Sequence, residues 1–480
     1  LVLLRIFDTI RIEDRIAGSV QRTSMSIDSR STVRGMQVEQ ISIQRDGQTS
    51  SNWVRYHRQL EDNGDLASEV TTAFRLASDD PRVPVAAHND PETSSPFHLF
   101  FPTRIGSGLP FLVHGYFEVD AARTGFYGGS MEANQLIMDA LADLVIEGVD
   151  HLTEAHEDLD LLALAELVAT SPTPETPLAK HFHSRVLAGL DHVAWLPGAP
   201  GSPRRIAPVT ILPGDRHVTA ALLGTFPVDY LRTRSGCEIA HPGLGVEVHR
   251  FLEERREDAE QLWEALHQIL RPGTSSPWPS DAAADGYFLS LLDLLDAIRR
   301  MDPFRGGQLI GNLVGDDDAC LIPVTRSDGQ RALVPVPDPD GSKAGARGVA
   351  VMARLGDTSA RQLTPPRSLD VEFVADGLLD EQTRARSEIL GIRPFTVDAV
   401  LDRLTTAGGP LDERDRTELL QFLWDLLAKE RRSDFSTLAS SERALTYANY
   451  RWFWLVPGRA RADLSQQQRQ RRERSLAHVH

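Results

Sequence analysis

The stretch Phe97–Asn134, FHLFFPTRIGSGLPFLVHGYFEVDAARTGFYGGSMEAN, carries the most information about the fold. Its apolar and aromatic residues at 97–101 and 111–119 predict two strands, and the glycines and proline between them predict a turn. A loop with one arginine and several glycines follows. From Met131 to Leu152 the apolar residues recur at the spacing of one helix face. The stretch therefore predicts strand, turn, strand, loop and helix, with Ser130 as the expected cap of the helix.

The residues before this stretch predict a hairpin and a helix. Val38–Gln44 and Asn52–His57 read as strands on either side of Arg45-Asp46-Gly47-Gln48, and Asp-Gly is a strong signal for a tight hairpin turn. The segment Leu66–Ala77 has apolar residues three and four apart, which predicts a helix. Its apolar positions are Leu66, Val70, Ala73, Phe74 and Ala77.

The whole chain reads as an α+β protein with several domains. We expect an N-terminal mixed α/β sandwich at 1–155, a mixed α+β domain at 178–365, a helical domain at 366–465 and a basic tail at 466–480. The Pro/Thr-rich segment 171–177 marks the first boundary. The other predicted helices are Asp158–Ala169, Ala179–Gly189, Gly245–Leu270, Asp285–Arg300, Leu411–Glu430 and Ser440–Ala448, and the other predicted strands are Leu1–Ile12, Val83–Ala87, Ala207–Leu212 and Cys320–Val324.

Composition limits the classes of function. The chain has 480 residues and a formal charge of −17, which disfavours non-specific binding to nucleic acid or to anionic membranes. Its two cysteines cannot build a disulfide framework, so we expect a cytoplasmic protein. The first residues are too short an apolar run to span a bilayer. They read as a buried strand without a starting methionine, and we expect an amino end that is truncated.

The loop from Asp120 to Gly129 has the residues of an anion site. Its glycines (Gly125, Gly128 and Gly129) let backbone N–H groups approach an anion, and the start of the next helix adds a favourable dipole. Arg123 supplies a forked, permanent charge that suits a phosphate oxygen, and Arg104 is the second candidate. The alternative is that Arg123 pairs with Asp120 or Glu118 on the surface and that the glycines only permit a turn.

For the other candidate residues the sequence pattern indicates structural roles. His114 lies mid-strand, where a satisfied, half-buried histidine is the expected state. The pairs His151/His156 and His181/His183 lack the spacing of a helical metal site, so no metal is expected there. Asp316-Asp317-Asp318 most simply solvates a loop. The sequence contains no GxSxG or catalytic-cysteine signature, and a nucleophilic triad has no support.

Four segments of the first 150 residues resemble the sacsin-like ATPases, relatives of the GHKL group that includes gyrase, the ninety-kilodalton heat-shock chaperone, histidine kinases and MutL. They read LVLLRIFDTIRI from residue 1, VEQISIQRDGQTSSNWVRY from residue 38, FPTRIGSGLPFLVHGYFEVDAAR from residue 101 and MEANQLIMDALADLV from residue 131. In that family this region is the transducer-like domain that follows the nucleotide-binding lobe. The resemblance implies that a basic side chain of this domain contacts the terminal phosphate of ATP, and Arg123 is the best match.

The resemblance also implies partners. ATP and Mg²⁺ would bind in an upstream lobe and not to this chain alone, and the chain would couple nucleotide binding to the remodelling of protein clients, as in chaperones or bacterial defence proteins. Two alternatives stay open. The chain is a non-enzymatic, acidic scaffold for other proteins, or a hydrolase that holds a metal at Asp316–Asp318.

The purified 480-residue chain should therefore show no ATP turnover. The family's adenine-nucleotide site needs a helix with Glu and Asn for Mg²⁺ and water, a DxGxG turn and a Gly-rich lid, and we find none of these at the expected place. Release of inorganic phosphate from ATP, with and without Mg²⁺, measures this directly. A clear magnesium-dependent rate would contradict the interpretation.

Overall fold

A computed structural model describes most of the chain between residues 9 and 426. The described residues are 9–14, 19–46, 48–62, 65–87, 95–99, 101–214, 216–254, 259–272, 284–314, 316, 318–325, 331–335, 350–353, 363, 365–366, 369, 371–374, 378, 386–396, 399–400, 414, 417–419, 421–422 and 425–426. The predictions for 1–8, 440–448 and the basic tail lie outside them, as do most of the predicted helical domain and part of the Asp316–Asp318 cluster.

The secondary structure confirms the α+β class. The first sheet contains β1 (Thr9–Asp14), β2 (Ser19–Val33), β3 (Met36–Arg45), β4 (Gln48–Asp62), β5 (Asp65–Leu76), β6 (Pro84–Val85), β7 (Pro96–Leu99), β8 (Phe101–Gly106) and β9 (Leu112–Gly115). Helices α1 (Met131–Ala155), α2 (Leu161–Ala169), α3 (Pro177–Leu190), α4 (Arg216–Thr225), α5 (Val228–Ser235), α6 (Val246–Glu254) and α7 (Ala259–Ile269) follow, with β10 (Leu196–Pro197) and β11 (Arg205–Ile206) between α3 and α4.

Two further helices and a five-stranded sheet follow. They are α8 (Ala284–Met301), α9 (Pro303–Leu313), β12 (Cys320–Thr325), β13 (Arg331–Pro335), β14 (Ala350–Ala353), β15 (Val371–Val374) and β16 (Arg393–Pro394). Among the described helices none is long and apolar enough to cross a lipid bilayer.

The chain forms two compact units. The first comprises Leu1–Ala220 with Val228–Ala265, and the second comprises Ala221–Pro227 with Leu266–His480. The core of the first unit includes side chains of α2, α3 and α6 together with those of α1 and the sheet. It therefore continues past the Pro/Thr-rich segment 171–177, and the domain ranges drawn from the sequence remain a prediction.

The first sheet is an antiparallel meander that contains one parallel pair of strands among those described. Its order is β1-β2-β3-β4-β5-β9-β7-β8, and β6 pairs with β5. Arg45 faces Gln48 across the predicted Asp-Gly turn, which confirms the hairpin. At the other end β7 runs parallel to β9, with Phe97 opposite Val113. The short strands β9, β7 and β8 thus extend the sheet beyond β5.

Helix α1 covers one face of this sheet. Its buried residues recur along one side, among them Met138, Leu141, Leu144 and Val145. Gly148 lies where a Cβ atom would come within 3.2 Å of Phe74 and 3.3 Å of Tyr56, so the helix approaches β4 and β5 closely. Helix α3 packs on α1, and its Phe182 meets Phe97 of β7 with 5.2 Å between ring centroids. The predicted helix Met131–Leu152 is confirmed.

The helix predicted at Leu66–Ala77 is wrong, because this segment is strand β5. It pairs with β4 from Asn52↔Leu76 to Asp62↔Asp65. Val70, Thr71 and Thr72 are β-branched residues, which favour strands. Both faces of β5 are buried, since Val70, Thr72 and Phe74 lie on one face and Thr71 and Ala73 on the other. This burial hides the alternation, and the helical spacing of the apolar residues is coincidental.

One smaller prediction is also wrong, and two hold only in part. The strand expected at Ala207–Leu212 is a 3₁₀ turn, Pro208–Thr210, because proline at its first position fixes a turn geometry. Ser130 occupies the N-cap position of α1 as predicted, but its side chain makes no hydrogen bond to the helix. Its hydroxyl donates to Glu118 instead. The described part of 245–270 forms two helices, α6 and α7.

The second unit has its own sheet, in the order β13-β12-β15-β14-β16. Strand β14 is parallel to β15 and to β16, and β12 is antiparallel to β13 and β15. Phe373 and Phe395 form an edge-on ring pair at 4.8 Å in its core. Arg386 binds Asp293 and Asp296 of α8 at 2.6 and 2.7 Å.

Two leucines of α1, one buried and one exposed, allow the effect of burial to be measured at the same change in helix propensity. Leu141 is fully buried and Leu136 is 71% exposed. We expect Leu141→Ala to lower the free energy of unfolding by about 2–5 kcal/mol, because it leaves a cavity against the sheet. Leu136→Ala is the matched control and should change it by less than about 0.5 kcal/mol. Urea unfolding measures both, and equal effects would contradict the assigned face of α1.

Candidate functional site

The predicted anion loop is a tight hairpin between β9 and α1. Val119 bridges Phe126, and the Asp120 N–H donates to the Gly125 carbonyl at 2.9 Å. The Arg123 N–H donates to the Asp120 carbonyl at 3.0 Å. Arg123 itself has a φ of 58°, in the left-handed region that non-glycine residues rarely occupy. The loop therefore holds an arginine where backbone geometry alone favours glycine or asparagine.

Asp120 fixes the loop from inside. Its Oδ1 accepts from the Thr124 N–H and its Oδ2 accepts from the Thr124 hydroxyl, both at 2.8 Å. The backbone hydrogen bond from Thr124, followed by that from its side chain, lowers the pKa of Asp120. Both carboxylate oxygens thus already accept hydrogen bonds from Thr124. The surface pairing of Arg123 with Asp120, weighed from the sequence, is not found among the described contacts.

The two candidate arginines are neighbours in the fold. The Arg104 N–H, on β8, donates to the Arg123 carbonyl at 2.9 Å. Arg104 is exposed and Arg123 is half-buried. Within the described part of the chain, neither guanidinium makes a hydrogen bond or ion pair. Two permanent positive charges therefore lie on adjacent backbone segments with no carboxylate partner among the described residues, an arrangement that suits an anion.

The three predicted glycines lie on both sides of Tyr127. Gly125 ends the hairpin loop, and a Cβ atom there would lie 3.4 Å from the Asp120 Oδ2. Gly128 and Gly129 are exposed and form a 3₁₀ turn, Gly128–Ser130, that leads into α1. None of the three has a φ in the left-handed region. Their positions allow close approach to the backbone beside the helix start, but turn geometry does not require glycine at them.

A buried asparagine joins the loop to α1. The Asn134 Oδ1 accepts from the Glu118 N–H at 2.8 Å, and its Nδ2 donates to the Glu118 carbonyl at 2.9 Å. Asn134 is fully buried in the first turn of α1. It thus sets the distance between the loop and the helix start. Sequence reasoning missed it, although a polar amide at a core-facing helix position is a usable signal.

The other candidate groups have structural partners. His151 lies 3.1 Å from the Tyr56 hydroxyl, and His181 lies 3.1 Å from Asp139. Asp316 is bound by Arg271 at 2.5 Å. Among the described residues no group of three or more His, Cys, Asp or Glu side chains could hold a metal ion. Cys237 is buried, and its sulfur accepts a hydrogen bond from the Gln261 side-chain amide at 3.7 Å.

A separate cavity of about 410 Å³ lies in the first unit beside the start of α2. Its lining includes Asp160, Ser202, Arg204 and His241. The Nδ1 of His241 accepts from the Gly243 N–H at 3.0 Å, so the proton of the neutral ring is on Nε2. Arg204 donates to the carbonyl of Leu159 at 3.1 Å. With its acceptor nitrogen already used, His241 is not placed as a base for Ser202.

Comparison of this chain with known protein families, with curated proteins and with solved structures finds no match in any of the three.

The left-handed backbone conformation of Arg123 leads to a prediction about stability. Arg123→Gly should leave the free energy of unfolding unchanged or raise it by up to about 1 kcal/mol, because glycine adopts a positive φ without the Cβ penalty. Urea unfolding measures this, with Arg123→Val as the comparison, since a β-branched residue is disfavoured there. A marked loss in the glycine variant would show that the side chain serves the fold.

Proposed function

We propose that this chain is the coupling region of a sacsin-like, GHKL-type ATPase and works with an ATP-binding lobe that precedes it. Arg123, with Arg104 beside it, contacts the terminal phosphate of ATP held by that lobe. The observation that supports this most is the pair of arginines on hydrogen-bonded backbone segments, whose guanidinium groups have no carboxylate partner among the described residues, in a chain whose net charge is −17. An acidic protein has many carboxylates with which to neutralise a purely structural arginine.

The geometry supports a role for Arg123 in sensing nucleotide. Its loop is fixed by Asp120 and Thr124, and Asn134 ties the adjoining strand to α1. A force on the guanidinium would therefore reach a helix of 25 residues that packs on the sheet. A fixed cation at a transferring phosphoryl group stabilises the charge of the transition state. In this proposal phosphate contact and movement of α1 are parts of one step.

The nucleotide and Mg²⁺ belong to the preceding lobe in this proposal. This chain supplies the two arginines that contact the phosphate. When their position changes, α1 and the core beneath it move with them. Clients or partner proteins would bind elsewhere on the chain. Chaperone-like remodelling and a bacterial defence role are both compatible with it.

The rival function is a non-enzymatic, acidic scaffold that binds other proteins in a cytoplasmic setting. Large apolar side chains are exposed near the predicted site, including Phe101 at 63%, Tyr127 at 55% and Leu136 at 71%. Exposed aromatic side chains are typical anchors of protein interfaces. In this alternative the two arginines would meet acidic groups of a partner protein instead of a nucleotide.

The test joins the chain to the segment encoded directly upstream of Leu1 and measures ATP hydrolysis. We expect activity in the joined protein and a fall in kcat of about 100-fold or more in Arg123→Ala, because a charge that stabilises the transition state is lost. Arg104→Ala should give a smaller fall. Arg82→Ala is the matched control, since Arg82 is an exposed arginine already bound by Asp80 at 2.8 Å.

Hydrolysis that survives Arg123→Ala at the unmodified rate would contradict the proposed contact. An active protein with an unaffected Arg123 variant would favour the scaffold role for this chain. An upstream segment without a GHKL-type lobe would contradict the proposed partner itself.

A further inference from the structure

A row of buried polar side chains crosses four strands of the first sheet. His57 of β4 is the register partner of Thr71, Thr71 is the partner of His114, and His114 is the partner of His98 on β7. Register partners project from the same face of a sheet, so the four side chains form one row. The exposed fractions are 2% for His57, 4% for Thr71, 2% for His114 and 8% for His98.

This row lies on the face opposite α1. The adjacent positions Tyr56 and Phe74 face the helix, since they lie beside Gly148, and side chains alternate along a strand. The imidazole row therefore occupies the other face, next to Trp53 and Leu112. Protonation of His114 in this buried sheet face is costly, because the positive charge would lose its hydration.

Two described carboxylates lie on this face, Glu39 and Glu69, and the one that contacts the row is Glu69. Its Oε2 lies 3.5 Å from the His57 Nε2, and its Oε1 accepts from the Tyr116 hydroxyl at 3.4 Å. The His57 Nδ1 lies 3.1 Å from the Thr71 hydroxyl. On the same face, Arg55 of β4 binds Glu39 of β3, so that carboxylate is already neutralised.

Burial lowers the pKa of His114 to about 4, with Glu69 opposing the shift and His57 adding to it. When the ring reaches water its pKa returns to about 6.5. An opened state therefore binds more protons than the closed state between about pH 6.5 and 4. The closed state keeps its full stability above that window and loses it as the pH falls through it.

The pairing of β7 with β9 is the weakest part of the row. The described register between them has two pairs, Phe97↔Val113 and His98↔His114, while β5 and β9 share four. Strand β8 pairs with β7 and lies at the edge of the sheet. Separation of β7 from β9 would expose His114 and His98 to water and would free the β7–β8 hairpin, which carries Arg104.

We propose that His114, at the centre of the row His57–His114–His98, is an acid-sensitive latch, which holds the β7–β8 hairpin on β9 while its imidazole is neutral and releases it when that imidazole is protonated. The latch does not depend on the proposed phosphate contact. Its release would nevertheless move Arg104 relative to Arg123, whose carbonyl accepts the Arg104 N–H. The latch would thus make the position of one candidate arginine dependent on pH.

Amide hydrogen exchange of the 480-residue chain at pH 7.5 and pH 5.0, corrected for intrinsic rates, tests the latch. The opening equilibrium of 97–99 and 112–115 should rise about 30-fold at pH 5.0, from the two pKa values and proton linkage. The amides of β3 and of the paired part of β4 should not change in parallel. His114→Gln, which cannot take up a proton, should reduce the rise to within about 3-fold.

His192→Gln is the matched control, because His192 is exposed, and it should keep the full acid response. A response that survives in His114→Gln would overturn the latch, as would equal loosening of the whole first unit. If His114→Gln does not fold, imidazole NMR of the natural chain decides. Protonation of His114 near pH 6.5 with unchanged backbone signals at 96–106 would also overturn the proposal.

Discussion

Strand β9 holds the first unit together. Its four residues, Leu112–Gly115, pair with β5 on one side and with β7 on the other. It is buried on both faces, since Val113 lies in the core shared with α1 and α3 and Leu112 packs with Trp53. In the described part of the sheet, β9 supplies the ladder hydrogen bonds that connect the long strands β2–β5 to the short strands β7 and β8. The placement of β8, and with it Arg104, follows from this pairing.

Alternation along the central strands divides the first sheet into two faces with different side chains. The row Tyr56, Thr72, Val113 and Phe97 faces the helices and supplies the core. The next row carries the histidines. Because the side-chain period of a strand is two, a shift of register by one residue would exchange these rows and bury charge against α1. Register in this sheet is therefore strongly specified. The same register fixes the position of Arg104 on β8 and of the histidine row.

Local signals in the sequence predicted the elements that form local contacts. The Asp-Gly turn and the apolar spacing of α1 identified a hairpin and a helix, because each rests on neighbours in sequence. The segment 66–77 misled the same reasoning, since its partner strand and not its own periodicity decides its conformation. The parallel pairing of β7 with β9 leaves no local signal, and it was not predicted.

The candidate site was predicted in part. Arg123, Arg104 and the loop glycines could be chosen from residue type, because a guanidinium beside glycines before a helix is a recognisable pattern. The hydrogen bond that joins Arg104 to Arg123 spans 19 positions and depends on the sheet order (123 − 104 = 19). The left-handed φ of Arg123 and the two hydrogen bonds of Asn134 depend on that geometry as well.

The central claim is that Arg104 and Arg123 act together on one phosphate, and NMR of the arginine side chains tests it most directly. The Nε–Hε signals of Arg104 and Arg123 are followed while ATP with Mg²⁺ is added to the chain joined to its upstream segment. The account predicts that both signals shift together along one saturable curve, while that of Arg82 stays in place. Shifts of equal size at all three arginines, or none at Arg123, would contradict it.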